Sequence, residues 1–534
     1  SCWNAAWQDA GYFACAQIST MQERLEDALD EIDRSLIRNW HNHKARALKA
    51  AILRRMGKPE EALKLIEESL AIDKFNYGCR NEKYLITNTV EDLNILKEMM
   101  RGEAHNYDEI ALDYCNAGCW AEAVALWNIA IAEEAITPMS YYYLGWCLKQ
   151  GGLSGVEQAL AQGMAACPDY CFPNRLEAVL ALQSAMEVNP KDGRAPYYLG
   201  NLYYDKRQYE LAIEAWEASA RLDAQFPTVW RNLALAYFNK KNEETKAVEC
   251  MERAFRLDTT DARILMELDQ LYKRICCSHT ERLAFLQKYS ELVSQRDDLI
   301  LEEITLLNQM GEYKQAKELL DAHIFHPWEG GEGKVSGQYQ FARVELAKKA
   351  LAATDYKDAI VLLEECLEYP HHLGEGKLHG AQENDFYYFL GCAYEGLGEN
   401  SKAVACWEQA VVGPTEPVAA MYYNDAKPDK IFYQGLALLK LGRTDEANGR
   451  FHKLISYGEK HLFDKIKMDY FAVSLPDLLI WEDDLNIRNE IHCKYMMALG
   501  YWGMNQKDKS ARLLDEVGKS DINHQGILSM KTCL

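Results

Sequence analysis

One short pattern occurs twice in the sequence and offers the densest set of residues able to do chemistry. Pro327-x-x-x-Gly331-Glu332-Gly333-Lys334 recurs 43 residues later as Pro370-x-x-x-Gly374-Glu375-Gly376-Lys377. Glycines let main-chain N–H groups come close to a ligand, and Glu332, Lys334, Glu375 and Lys377 add charged contacts. Trp328, His371 and His372 could form the walls of such a site, with Glu329 beside them. The functional reading is a paired site for a ligand or partner. The structural reading is an extended turn between helical hairpins, with proline stopping one helix and glycines in left-handed conformations. Neither copy is a P-loop, because Val335 and Leu378 follow the lysines where Ser or Thr is required.

Other reactive types are present without the spacing their chemistry needs. His323-x-x-His326, His371-His372 and His379 could ligate a metal in principle, but there is no HExxH and Cys366 adds little, so no metal and no cofactor are expected. The run Glu482-Asp483-Asp484 reads as a helix N-terminus or a solvated face. The Ser474-Leu475-Pro476-Asp477 turn lacks the glycine-flanked nucleophile elbow. Sixteen cysteines include no CxxC pair. The pairs Cys115/Cys119 and Cys167/Cys171 have i,i+4 spacing, which suits neighbours on one helical turn if both members are helical. Reduced core or surface thiols are expected, which points to the cytoplasm.

The elements that would carry these residues are helical. The chain has 534 residues, 48% of them hydrophobic, and its 13 prolines sit mostly between periodic segments. A formal net charge of -22 repels phosphate backbones and anionic membranes, so neither nucleic acid nor membrane is an expected partner. The most apolar window, Tyr470 to Trp481, is broken by Pro476 and Asp477 and is too short to cross a bilayer. The opening Ser1-Cys2-Trp3-Asn4-Ala5-Ala6-Trp7 has no signal-peptide pattern and reads as the start of a trimmed or processed fragment.

A self-match at 34 residues sets the architecture. Leu199-Gly200-x-x-Tyr203 is followed 34 positions on by Leu233-Ala234-x-x-Tyr237, and the pattern returns as Leu390-Gly391-x-x-Tyr394 and Ile110-Ala111-x-x-Tyr114. An alanine follows 12 or 13 residues after each small residue (Ala212, Ala247, Ala403, Ala123), and a bulky residue four further on (Trp216, Met251, Trp407, Trp127). Small residues on facing helices permit a close crossing, and large ones fill the space between successive hairpins. A single hairpin cannot bury its own apolar faces, so neighbours must stack.

These segments resemble tetratricopeptide repeats, whose signature is W-x2-L-G-x2-Y, then A-x3-F, then often P. The best match is 386–414, with Tyr387, Leu390, Gly391, Tyr394, Ala403, Trp407, Ala410 and Pro414. Credible copies lie near 45–73, 107–131, 195–224, 228–260 and 431–457. The runs 141–165, 262–293, 298–322, 339–369 and 493–517 are degenerate; Asp269 stands where a small residue is expected, so packing there must be looser or different. A second resemblance rests on Phe325-His326-Pro327-Trp328-Glu329-Gly330-Gly331-Glu332-Gly333-Lys334 and on Phe471 to Leu479. Both look like the C-terminal part of a family of large bacterial repeat proteins with an uncharacterised N-terminal domain, which implies that any catalytic domain lies outside this chain.

The repeat resemblance implies an all-α, right-handed α-solenoid. Its expected parts are N-terminal hairpins over 1–149, an irregular helical connection over 150–194, a central array over 195–322, and a C-terminal array with the twin loops over 323–534. In such repeats the first helix of each hairpin lines a concave groove. That register places Tyr142, Tyr197, Tyr388 and Arg231 at one groove position, and Asn201 and Tyr204 further along. Asn201, Asn232 and Arg263 match part of a clamp for a peptide's terminal carboxylate, while Tyr197 replaces its first cation and Glu267 stands where an arginine belongs. The expected function is a protein-interaction scaffold with no catalysis. Its partner is a protein or peptide, including the chain's own missing N-terminal domain. The alternative, suggested by aromatic rings suited to stacking on sugars, is a carbohydrate-binding accessory region.

Overall fold

The computed structural model describes residues 4–328, 330–419, 427–467 and 480–531. All regular secondary structure among the described residues is helical, with consecutive helices packed as hairpins within each of two units. The chain forms two compact units, Ser1–Leu233 and Ala234–Leu534.

Local chemistry marks the helix ends. Pro138–Gln150 begins behind Thr137, whose hydroxyl accepts from Ser140 N while the Ser140 hydroxyl accepts from Thr137 N, a reciprocal capping box with proline in the first turn. Asp261 caps Ala262–Arg274 by accepting from the N–H groups of Arg263 and Ile264 at 2.8 and 3.2 Å. Between Asn384–Gly396 and Asn400–Ala410 the chain reverses through Gly398 at φ +78°, where only glycine is unstrained. In the segment 150–194 the structure places a ten-residue helix, Val156–Ala165, an irregular stretch, and then Glu177–Val188.

The periodic residues meet inside each hairpin. A Cβ added to Gly200 would lie 2.4 Å from Trp216 Cδ1, and one added to Gly391 would lie 2.3 Å from Trp407 Nε1. The bare glycine face therefore receives the indole of the same hairpin's second helix. It does so closely enough for Trp216 Nε1–H to reach the Tyr197 carbonyl (3.2 Å) and Trp407 Nε1–H the Tyr388 carbonyl (3.3 Å). Each carbonyl belongs to the residue three before the glycine. In the hairpin of Ala104–Asn116 and Trp120–Ala132 the small residue is Ala111, and the residue three before it, Asp108, answers with its side chain: Trp127 Nε1 donates to Asp108 Oδ1 at 2.8 Å. Trp407 also reaches the following hairpin, sharing a buried cluster with Ala403, Ala410 and Ala437.

Asp108 sets a pH dependence. Its second oxygen accepts from Ser140 Oγ at 2.9 Å, yet burial outweighs both hydrogen bonds and pushes its carboxyl from 3.8 up to about 6. A carboxyl that holds its proton more tightly when folded supports the fold below its unfolded value, and that support is lost as pH rises through about 6. Asp108→Asn keeps both partners and removes the charge. Thermal denaturation from pH 4 to 8 is expected to show the variant gaining about 3 kcal/mol over wild type across that range. Parallel stability curves would show that Asp108 titrates normally.

Candidate functional site

The two loops singled out in the sequence lie against each other. Glu375 of the second accepts from Gly333 N at 2.8 Å and Ser336 N at 2.7 Å, so its carboxylate caps the helix Lys334–Ala352 that the first loop begins. Phe325 N donates to the His372 carbonyl (2.8 Å), and a Cβ at Gly374 would sit 2.5 Å from the Phe325 carbonyl oxygen. Trp328 packs on Gly331, where a Cβ would fall 2.4 Å from the indole. Lys377 Nζ holds the Leu367 carbonyl (3.0 Å) and pairs with Glu383. His372 stands edge-on to Tyr339, whereas His371, Glu332, Lys334 and Gly376 are exposed. Glu329 lies outside the described residues, as does the segment Phe471 to Leu479 with its Ser474 turn.

Asp297 organises the neighbouring histidines. It meets His323 Nε2 at 2.7 Å and accepts from His326 N at 2.7 Å, with His326 Nδ1 at 3.1 Å. These contacts, more than desolvation, hold the Asp297 carboxyl below its ordinary 3.8. The described cysteines are free thiols. Cys115 and Cys119 are both buried, but Cys119 precedes its helix instead of lying within one, and burial lifts its thiol to about 12.

The predicted wall of unit Ser1–Leu233 is partly core. Tyr142 is fully buried and its hydroxyl donates to Asp192 Oδ2 at 2.9 Å; Tyr197 is 7% exposed, edge-on to Phe226. Neither ring offers a face for stacking. Asn201, Tyr204, Arg231 and Asn232 remain half-exposed. Asn201 Oδ1 accepts from Trp216 Nε1 and from Asn232 Nδ2, each at 3.0 Å, and Tyr204 leans on Trp216. In unit Ala234–Leu534, Tyr388 is half-buried against Tyr433 and Phe389, and Arg263 is salt-bridged to the buried Glu267 at 2.9 Å.

First-helix faces of unit Ala234–Leu534 also carry contacts with two distant segments of the same unit. Asn239 sits in a five-residue π turn, Tyr237–Lys241, that re-aims its side chain. Its amide donates to the Ile480 carbonyl (2.8 Å) and accepts from Glu482 N (2.9 Å), gripping both polar groups of one stretch of main chain. Trp481 is 3% exposed, edge-on to Phe238, with its indole N–H on the Glu267 carbonyl (2.9 Å). The carboxylate run is divided by role: Glu482 pairs with Lys240, Asp483 with Arg274 (2.7 Å), and Asp484 caps Leu485–Gly503. The second segment, Asp521–Lys531, lies on Gln309, Gln338, Glu345 and Lys348. Sequence reasoning missed this wall. Its signal was there: Gln338, Glu345 and Lys348 are polar residues spaced to share one helical face, inside a helix that is otherwise packed.

Comparison with known proteins agrees with the hairpin geometry. A family model described as "TPR repeat" matches residues 200–241, and two described as "Tetratricopeptide repeat" match 385–411 and 431–457. The chain carries tetratricopeptide repeats. Repeats of this type build protein-interaction scaffolds and are generally non-catalytic. Solved structures similar to the chain include MamA 41-end from Desulfovibrio magneticus RS-1, at 21% identity over 36% of this chain and 97% of that one, with a TM-score of 0.22. A tetratricopeptide repeat protein from Parabacteroides merdae ATCC 43184 is 14% identical over 56% and 99%, with a TM-score of 0.26. The TPR domain of P58(IPK) is 13% identical over 82% and 99%, with a TM-score of 0.20.

One hairpin breaks the packing rule chemically. In Ala262–Arg274 and His279–Lys288 the small residue is replaced by Asp269, and the alanine 13 residues on by Arg282. The two are 0% and 1% exposed and form a bidentate pair at 3.1 and 2.7 Å. Arg282 also reaches Glu302 at 2.7 Å, and Lys273 reaches it at 2.9 Å. Against desolvation, those two cations hold the Glu302 carboxyl down at about 2. Among the described residues no helix is long and apolar enough to cross a membrane, and no group of three metal-ligating side chains is assembled.

Proposed function

We propose that the chain is a scaffold that holds partner peptides in extended form along the first-helix faces of its tetratricopeptide hairpins. The supporting observation is the double grip of Asn239 on the Ile480 carbonyl and the Glu482 N–H, which recognises main chain independently of side-chain identity. An amide side chain both donates and accepts, so it can replace the two hydrogen bonds an extended strand would otherwise make with water. On this reading Asn201, Tyr204, Arg231 and Asn232 are the corresponding wall of unit Ser1–Leu233, and the exposed Lys334, His371 and Lys377 of the paired loops are contact points for a partner's acidic groups.

The test is selection of displayed peptides on the immobilised full chain. A defined consensus is expected to enrich, and binding of that peptide should weaken about tenfold in an Arg231→Ala/Asn232→Ala variant. Enrichment of no consensus above a scrambled library overturns the reading. Unchanged affinity in the variant moves the site away from that wall.

A further inference from the structure

The segment Asp521–Lys531 has the chemistry of a bound peptide. Residues 521 to 529 are half-buried without interruption, and Met530 alone is submerged, at 2% exposure. From Gln525 to Lys531 the segment is a short helix, and through Ser529 it is half-buried all round, where a repeat helix alternates buried and exposed positions with its period. The contacts read main chain and polar side chains. Gln309 Nε2 donates to the Asn523 carbonyl at 2.5 Å, and Lys348 Nζ to the Ser529 carbonyl at 2.8 Å. Gln338 and Gln525 exchange two amide hydrogen bonds, at 3.1 and 2.8 Å. Ser529 Oγ donates to Glu345 at 2.5 Å, and His524 rests on the Tyr495 ring with centroids 4.5 Å apart.

Gln338 also ties two repeat helices, its Oε1 accepting from Asn308 Nδ2 at 2.9 Å, whereas Glu345 and Lys348 place a charged pair in the interior. Glu345 is 0% exposed and the Lys348 side chain 5%, and they pair at 2.8 Å in mid-helix. Burying such a pair is costly compared with leucines of the same volume unless its remaining hydrogen bonds are met. Ser529, 181 positions or more away in sequence, supplies one such bond to each member of the pair. A tethered occupant sits at an effective concentration in the millimolar range, so it holds the face against weak competitors and yields only to tight ones.

We infer that Asp521–Lys531 is a releasable ligand held in cis, and that the face of Gln309, Gln338, Glu345 and Lys348 is a binding site for partner peptides of the same chemistry. That chemistry is an amide side chain followed four residues on by serine and then methionine, as in Gln525, Ser529 and Met530. The inference rests on the reading that first-helix faces hold peptides, and adds that this face takes a short helix and what displaces it.

The experiment uses the full chain and a fluorescent peptide of residues 519–531. A Gln525→Ala/Ser529→Ala/Met530→Ala variant, whose own segment is weakened, is expected to bind the peptide about tenfold more tightly than wild type. Adding Gln309→Ala and Gln338→Ala should remove the gain. Hydrogen exchange on unaltered protein supplies an independent readout: amides of 521–531 should exchange about a hundredfold faster than those of Leu485–Gly503. Equal peptide binding by wild type and variant, or exchange as slow as that helix, makes the segment a fixed part of the fold and overturns the inference. Peptide binding to the variant without any consensus in the display selection would preserve this face and sink only the broader reading.

Discussion

Asp269→Ala is expected to cost about 3–5 kcal/mol of stability in urea unfolding. The reason is what it leaves behind. Arg282 is 1% exposed, and without Asp269 its guanidinium keeps only the link to Glu302 while a bidentate edge faces a cavity. The partner change distinguishes pairing from packing. Asp269→Leu/Arg282→Met removes both charges and fills similar volume, so it should recover most of the loss or exceed wild type. A double variant as unstable as the sum of its parts would mean that the pair is only incidental to the crossing of these helices.

Gly391→Ala is expected to destabilise by about 2 kcal/mol, although alanine is the better helix former. A Cβ there would lie 2.3 Å from Trp407 Nε1 and 2.5 Å from its Cδ1, closer than real contacts allow. The indole must shift, and its hydrogen bond to the Tyr388 carbonyl goes with it. Gly449, inside the helix Thr444–His461, has nothing within 4 Å of its virtual Cβ. Gly449→Ala should therefore stabilise by about 1 kcal/mol through helix propensity alone. Opposite signs at two helical glycines, measured by the same denaturant titration, are the prediction. Stabilisation at both would remove the close glycine–indole crossing as the organising contact.

The paired loops show why a recurring motif need not recur in role. Both copies have glycine, glutamate, glycine and lysine in order, yet Glu375 caps the helix Lys334–Ala352 while its counterpart Glu332 is exposed. A carboxylate at the positive end of a helix is stabilising wherever it comes from. Only the fold decides which copy lies near that end.

The sequence on its own determined the helical hairpins, their repeat length and the recurring small and bulky positions. Those features rest on contacts a few residues apart or one hairpin apart, so spacing encodes them. Gly200, Gly391, Trp216 and Trp407 were legible as recurring positions and Asp269 as a departure, but spacing put the indoles between hairpins where the structure seats them on the glycine of their own. The answer to Asp269, Arg282, was legible in principle as the residue at the alanine position, since it lies 13 residues on and the interval is 12 or 13. The burial of Tyr142 and Tyr197, the loop contact through Glu375 and the occupied face at Gln309, Gln338 and Lys348 were decided by tertiary structure. Each joins residues tens to hundreds of positions apart, where no periodicity links donor to acceptor and only the stacking of intervening hairpins brings them within hydrogen-bond reach.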